Sequence, residues 1–191
     1  MKVARLRDLL QFLQTQTRAS FLGPAVDAYF QENEIEFDDW IPFTRFREDT
    51  YARNLIYRTD LYELFVLAWL PGQKAGIHDH AGQRCWTSVG CGVLTFQDFA
   101  PWAGPDTQPI ALSEPVKYEP GQTVYMDDGV GMHSLANLSN KPAVSLHLYA
   151  GPITRCRVYD PALRAFKLVD LESFPPPPEM EWSKELPLLL G

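Results

Sequence analysis

From Tyr51 onward the chain is a succession of short runs rich in β-branched and aromatic residues, each cut off by Pro, Gly or Asp: YARNLIY, ELFVLAWLP, CWTSVGCGVLTFQDF, PVKYEPGQTVYM, AVSLHLYAGP, TRCRVYD and AFKLVDL. Segments of this kind read as strands, and the breakers between them as turns. Many short strands joined by turns predict an antiparallel sandwich or barrel.

The flanks have a different texture. Leu6, Leu9, Leu10 and Leu13 recur at helical spacing, and the pattern resumes after Gly23-Pro24 with Val26, Tyr29 and Phe30, which predicts two short helices. The C-terminal stretch FPPPPEMEWSKELPLLLG holds four consecutive prolines, confined to extended chain and barred from a central strand, so it is expected to wrap the surface. A chain of 191 residues suits one domain with a substantial core. The expected organisation is a single domain over 1–191, with a helical layer over 1–48, a β-barrel body over 49–170 and a proline-rich tail over 171–191.

Composition removes several classes of function. With 46% hydrophobic and 21% charged residues the chain is neither a disordered nor a membrane sequence. A net charge of −7 and no cluster of Lys and Arg argue against nucleic acid as a partner. The N-terminus begins basic, but its apolar residues are spaced, without the continuous run of a secretory signal, so a cytoplasmic protein is expected. Three cysteines, an odd number without CxxC spacing, fit free thiols better than a disulfide framework.

The four histidines are the most informative residues. His78 and His80 are two apart, so on a strand both project from one face while Asp79 points the other way, a ready clamp for a metal ion. His133, in DDGVGMHSLAN, is placed to supply a third ligand from a neighbouring strand. His147 lies in AVSLHLYAG, where Ser145, His147 and Tyr149 alternate with Val144, Leu146 and Leu148. That polar row can form a hydrogen-bonded relay; read alone, it also fits a solvent-facing strand side.

Gly72 and Gly92 complete the spacing G-x5-HxH-x4-x-x6-G around the clamp, with Cys85 where an acid is expected, and Asn137 follows His133 after three residues. These resemble the two motifs of the cupin superfamily, small jelly-roll β-barrels with an internal metal, in which His78, His80 and His133 would be ligands. Three neutral imidazoles leave the ion's charge uncompensated, which favours anionic donors such as a thiolate. The ligand set alone admits zinc as readily as iron. The second motif departs from its pattern, with Asp128 and Val130 at positions where proline and glycine are expected.

With YARNL, HDHAGQRCW, GMHSLAN and SLHLYAGPITRC in order between Tyr51 and Asp160, the chain resembles the cysteine dioxygenase family, the thiol dioxygenase branch of the cupins. The resemblance implies Fe(II) on His78, His80 and His133, and oxidation of L-cysteine by O2 to cysteine sulfinate by a monomer. It implies that Arg53 binds the substrate carboxylate, with Tyr51 in support. Tyr149, His147 and Ser145 would match a catalytic row in which the tyrosine hydroxyl reaches substrate and the other two orient it. Cys85 would match a cysteine that becomes thioether-linked to Tyr149, and Cys156 one near the site entrance, while Cys91 is left to the core. Arg84 stands where animal members carry histidine, and a guanidinium there is placed to alter how the site accepts substrate. Two alternatives remain open: a dioxygenase for another small thiol such as 3-mercaptopropionate, which Arg53 disfavours, and a non-redox metal-binding cupin acting as isomerase, hydrolase or ligand sensor.

Overall fold

The structure is a computed structural model that describes residues 1–104 and 107–178. A short strand, β1 (Lys2–Ala4), leads into helix α1 (Leu6–Gln14), whose Leu6, Leu9, Leu10 and Leu13 are all buried, as their spacing requires. Two more helices follow, α2 (Arg18–Leu22) and α3 (Ala25–Glu32), so the layer holds three helices rather than the expected two. The additional one is five residues long, too short to show a period, and is defined by its ends: the Thr17 side chain accepts from Ser20 N–H, and Gly23-Pro24 breaks the chain after it. Strand β2 (Asn33–Ile35) pairs with β1, and a 3-10 helix over Phe37–Phe43 buries Trp40 and Phe43.

The remainder is β structure, as expected. Strands β3 (Ala52–Arg58), β4 (Glu63–Trp69), β5 (Lys74–His78), β6 (Cys85–Cys91) and β7 (Leu94–Phe99) are followed by β8 (Val116–Tyr118), β9 (Thr123–Met126) and β10 (Met132–Ala136). Strands β11 (Ala143–Tyr149), β12 (Arg155–Asp160) and β13 (Ala165–Asp170) complete the body. They form a six-stranded sheet, β13-β12-β5-β10-β7-β8, and a five-stranded sheet, β3-β4-β11-β6-β9, with antiparallel pairing throughout. The fold is a mainly β jelly-roll of two packed sheets that do not close into one continuous barrel.

The five-stranded sheet is covered on both faces, and that decides where the site lies. Every residue of β4 and β11 is buried. Leu64, Val66, Trp86, Leu146 and Leu148 pack with the helices in one core, while Phe65, Leu67, Trp69, Cys85 and Tyr149 pack with Ala75, Phe96 and Leu135 of the other sheet in a second. Strand alternation therefore sends Ser145, His147 and Tyr149 between the sheets and away from solvent.

Two motif residues have clear structural duties. Gly92 has φ of 72°, and a Cβ there would lie 2.5 Å from the Pro142 carbonyl oxygen, so only glycine fits the approach of β6 to β11. Asn137 is fully buried; its amide donates to the carbonyls of Trp69 and Lys141 and its oxygen accepts from Ser139, tying the β10–β11 turn to the end of β4.

After β13 the chain runs parallel to β3: Phe174 N–H donates to the Arg53 carbonyl (2.8 Å) and Leu55 N–H to the Phe174 carbonyl (3.0 Å). The start of the proline-rich tail is thus a strap on a sheet edge, with Arg45 over the Phe174 ring. The expectation that the tail wraps the surface lies outside the described residues from 179 onward. Among the described residues no helix is long and apolar enough to cross a membrane.

Candidate active site

His78 closes β5, His80 follows two residues later, and His133 in β10 stands opposite His78 in register. One nitrogen from each lies within 4.8 Å of the others. His78 Nδ1 meets the Gly76 carbonyl at 2.8 Å; a neutral ring donates that proton and keeps its lone pair on Nε2. Both nitrogens of His80, and Nδ1 of His133, are buried without a partner. Burial and the neighbouring imidazoles hold His80 and His133 well below the usual histidine range, and burial lowers His78. Neutral imidazoles with orphaned buried nitrogens, converging on one point, fit a divalent cation and are costly without one.

The clamp is braced from behind by two carboxylates. Asp79, turned away from the histidine face, accepts from Arg157 N–H (2.8 Å) and pairs with its guanidinium, which lies 4.1 Å from the Trp102 ring centroid. Asp128 accepts from the backbone N–H of His80 (2.7 Å) and of Gly82 (2.6 Å). The departure from the second motif at position 128 therefore has a physical reason: a proline there would leave those N–H groups without their acceptor.

A cavity of about 410 Å³ opens beside the three histidines and is lined also by Tyr51, Arg53, His147, Tyr149 and Cys156. Arg53, on β3, is 6% exposed, and its Nη2 is buried without a partner. It makes none of the ion pairs found among the described residues. Its guanidinium packs over the rings of Phe65 (4.5 Å) and Tyr149 (5.8 Å). A desolvated guanidinium with no counter-charge among the described residues is suited to hold an anion through paired N–H donors. Tyr51 stacks on Trp69 with ring centroids 4.4 Å apart, beside Arg53 on the cavity wall.

Cys85 and Tyr149 face each other across β6 and β11. Burial pushes the Cys85 thiol up to about 12, partly opposed by the neighbouring hydroxyls, foremost that of Thr87 at 3.6 Å. Burial also holds Tyr149 well above the usual phenol value, so its hydroxyl keeps its proton. Ser145 Oγ lies 2.8 Å from His147 Nε2, but His147 Nδ1 meets Thr87 Oγ1 at 3.1 Å. The relay therefore turns across the sheet at His147, and no His147–Tyr149 hydrogen bond is found among the described residues.

Other expectations resolve plainly. Cys156 is buried on the cavity wall, and burial pushes its thiol up to about 11. Cys91 is half-buried against the helix-side core. Arg84 is corrected: its Nη1 donates to the Phe21 (3.1 Å) and Gly23 (3.4 Å) carbonyls at the end of α2, and its guanidinium lies over Tyr125, so it binds the helical layer and has no contact with the cavity. Thr87, Trp69 and Arg157 are not singled out by the sequence, and Asp128 stands out there only as a departure from the second motif. Thr87 was within reach, since it sits two residues after Cys85 on a strand and so shares its face.

The sequence model of the family described as "Cysteine dioxygenase type I" matches residues 2–162. The chain is 30% identical over 163 residues to "Cysteine dioxygenase type 1" of Homo sapiens, spanning 84% of this chain and 81% of the human protein. It is equally 30% identical over 166 residues to the protein of that name from Danio rerio, with the same two coverages. Among solved structures, a Klebsiella pneumoniae protein "with double-stranded beta-helix domain" aligns over 71% of this chain and 96% of its own, at 15% identity and a TM-score of 0.48.

Proposed function

This chain belongs to the cysteine dioxygenase type I family, and from that premise we propose that it oxidises L-cysteine to cysteine sulfinate with O2, using Fe(II) held by His78, His80 and His133. The observation that carries the reading is the pairing, on one cavity, of three neutral imidazoles with a buried guanidinium that has no counter-ion among the described residues. When bound, the iron supplies the redox chemistry that O2 requires and a positive charge that favours the thiolate.

The side chains do the rest. Arg53 takes the substrate carboxylate through two N–H groups in the plane of its guanidinium, and the rings of Phe65 and Tyr149 hold that plane in place. This directs the thiol end of a small amino acid toward the histidines. Tyr149, protonated because it is buried, donates its hydroxyl to the bound substrate. His147, held neutral by burial, and Ser145, hydrogen-bonded to it, fix the inner wall beside it. Tyr51, stacked on Trp69, closes the carboxylate end. Cys85 and Tyr149 join as a thioether: the S–H and one ring C–H are lost, a C–S bond forms, and O2 takes the two electrons and two protons.

Oxygen consumption by the iron-loaded protein tests the reading. Robust uptake with L-cysteine, sulfinate as product, little uptake with 3-mercaptopropionate, and an intact mass short of two hydrogens unless Cys85→Ser is introduced are the expected results. Turnover of 3-mercaptopropionate with none of cysteine would overturn the substrate. Stoichiometric zinc in the purified protein, with no thiol-dependent uptake after iron loading, would favour a non-redox cupin instead.

A further inference from the structure

Five buried side chains form one line across the inner face of the five-stranded sheet. Trp69 Nε1 lies 3.0 Å from Ser145 Oγ, which lies 2.8 Å from His147 Nε2. On the other side of the ring, His147 Nδ1 lies 3.1 Å from Thr87 Oγ1, which lies 3.6 Å from Cys85 Sγ. None of the five is more than 3% exposed.

The direction of this line follows from its first member. An indole N–H can only donate, so Ser145 Oγ accepts from Trp69. The serine's own proton then has one remaining partner among the described hydrogen bonds, His147 Nε2. That nitrogen is an acceptor, so the neutral ring carries its proton on Nδ1 and donates to Thr87. Thr87, its lone pair engaged, directs its proton to the Cys85 sulfur. The opposite order would start from the thiol proton and leave Ser145 with two incoming donors and a buried hydroxyl proton without an acceptor, an arrangement that folded proteins avoid. It would also require a thiol proton that a thioether lacks, whereas the sulfur accepts in either form.

We propose that Thr87 is a positioning residue that holds His147 as its neutral Nδ1–H tautomer and couples it, by way of the Cys85 sulfur, to Tyr149. Tyr149 stands directly opposite Cys85 in the register of β6 and β11. Burial first, then the Arg53 charge, lowers His147 to about 3, which agrees with a ring that stays neutral. With both ring nitrogens engaged, the hydrogen bonds among the described residues lead from Ser145 and His147 through Thr87 to Cys85, which faces Tyr149. The catalytic consequence rests on the thiol dioxygenase reading; the tautomer does not.

The tautomer is read in the full chain loaded with zinc, whose closed shell keeps the ring resonances sharp, by long-range proton–nitrogen correlation of His147. The expected result is a protonated Nδ1 with a slowly exchanging proton and a bare Nε2. Thr87→Val, close in shape, loses that protected proton, and Thr87→Ser restores it. A protonated Nε2 in the unaltered chain, or a protected Nδ1 proton that persists in Thr87→Val, would overturn the proposal. In the iron-loaded protein Thr87→Val lowers kcat for cysteine about tenfold with KM within about twofold, and Thr87→Ser recovers it. An unchanged kcat would overturn the coupling to Tyr149. If the unaltered iron-loaded protein oxidises no thiol, the functional reading fails while the resonance data still decide the tautomer.

Discussion

Arg53 carries the most information of any single residue, because its burial opposes stability. A desolvated, unpaired guanidinium costs free energy in the folded protein and is recovered only when an anion arrives. Arg53→Met, which keeps the stem and removes the charge, is therefore expected to lower kcat/KM for cysteine on the order of 100-fold, about 3 kcal/mol. The same variant unfolds at an unchanged or higher temperature. A fall in melting temperature with kcat/KM intact would assign Arg53 to the core instead. At this scale the sequence was legible where chemistry and spacing coincide: HxH on a strand predicts one shared face, and His78, His80 and His133 do converge. It was less legible where a side chain's direction depends on what packs outside the strand. With Cys85 facing inward, Arg84 faces outward, but only the presence of α2 there explains why a cation is kept at that position.

At the scale of elements, the contact between the helical layer and the five-stranded sheet sets how firmly the site's floor is held. Trp86, two residues after Arg84 and therefore also outward, stacks over Phe30 and donates to Asp27 at 2.6 Å. Arg84 satisfies two carbonyls where α2 ends. Arg84→Met is expected to cost about 1–2 kcal/mol of stability, seen as a lower midpoint in denaturant, with the kinetics for cysteine unchanged. A shifted KM with unaltered stability would return Arg84 to the site. The number of helices was less legible than their apolar faces, because α2 is defined by its caps and by Gly23-Pro24 and has too few residues for a period. The polar row of β11 was ambiguous for a related reason: alternation assigns Ser145, His147 and Tyr149 to one side, but whether that side meets water depends on a second sheet contributed by distant segments.

At the scale of the molecule, the site exists only where the two sheets meet. The three histidines come from β5, the turn after it and β10 of the six-stranded sheet; Arg53, Cys85, Thr87, His147 and Tyr149 come from β3, β6 and β11 of the five-stranded one. Neither sheet alone has both a metal clamp and an anion clamp. This division gives the proposed chemistry its geometry, with the carboxylate of the substrate anchored to one sheet and its sulfur presented to the other. In the proposed reaction both atoms of O2 end on that sulfur. Supplying 18O2 to the iron-loaded protein with L-cysteine in ordinary water, and weighing the product, tests it most directly. Cysteine sulfinate carrying two heavy oxygens is the expected result; a product carrying one or none, or cystine in place of the sulfinate, would contradict it.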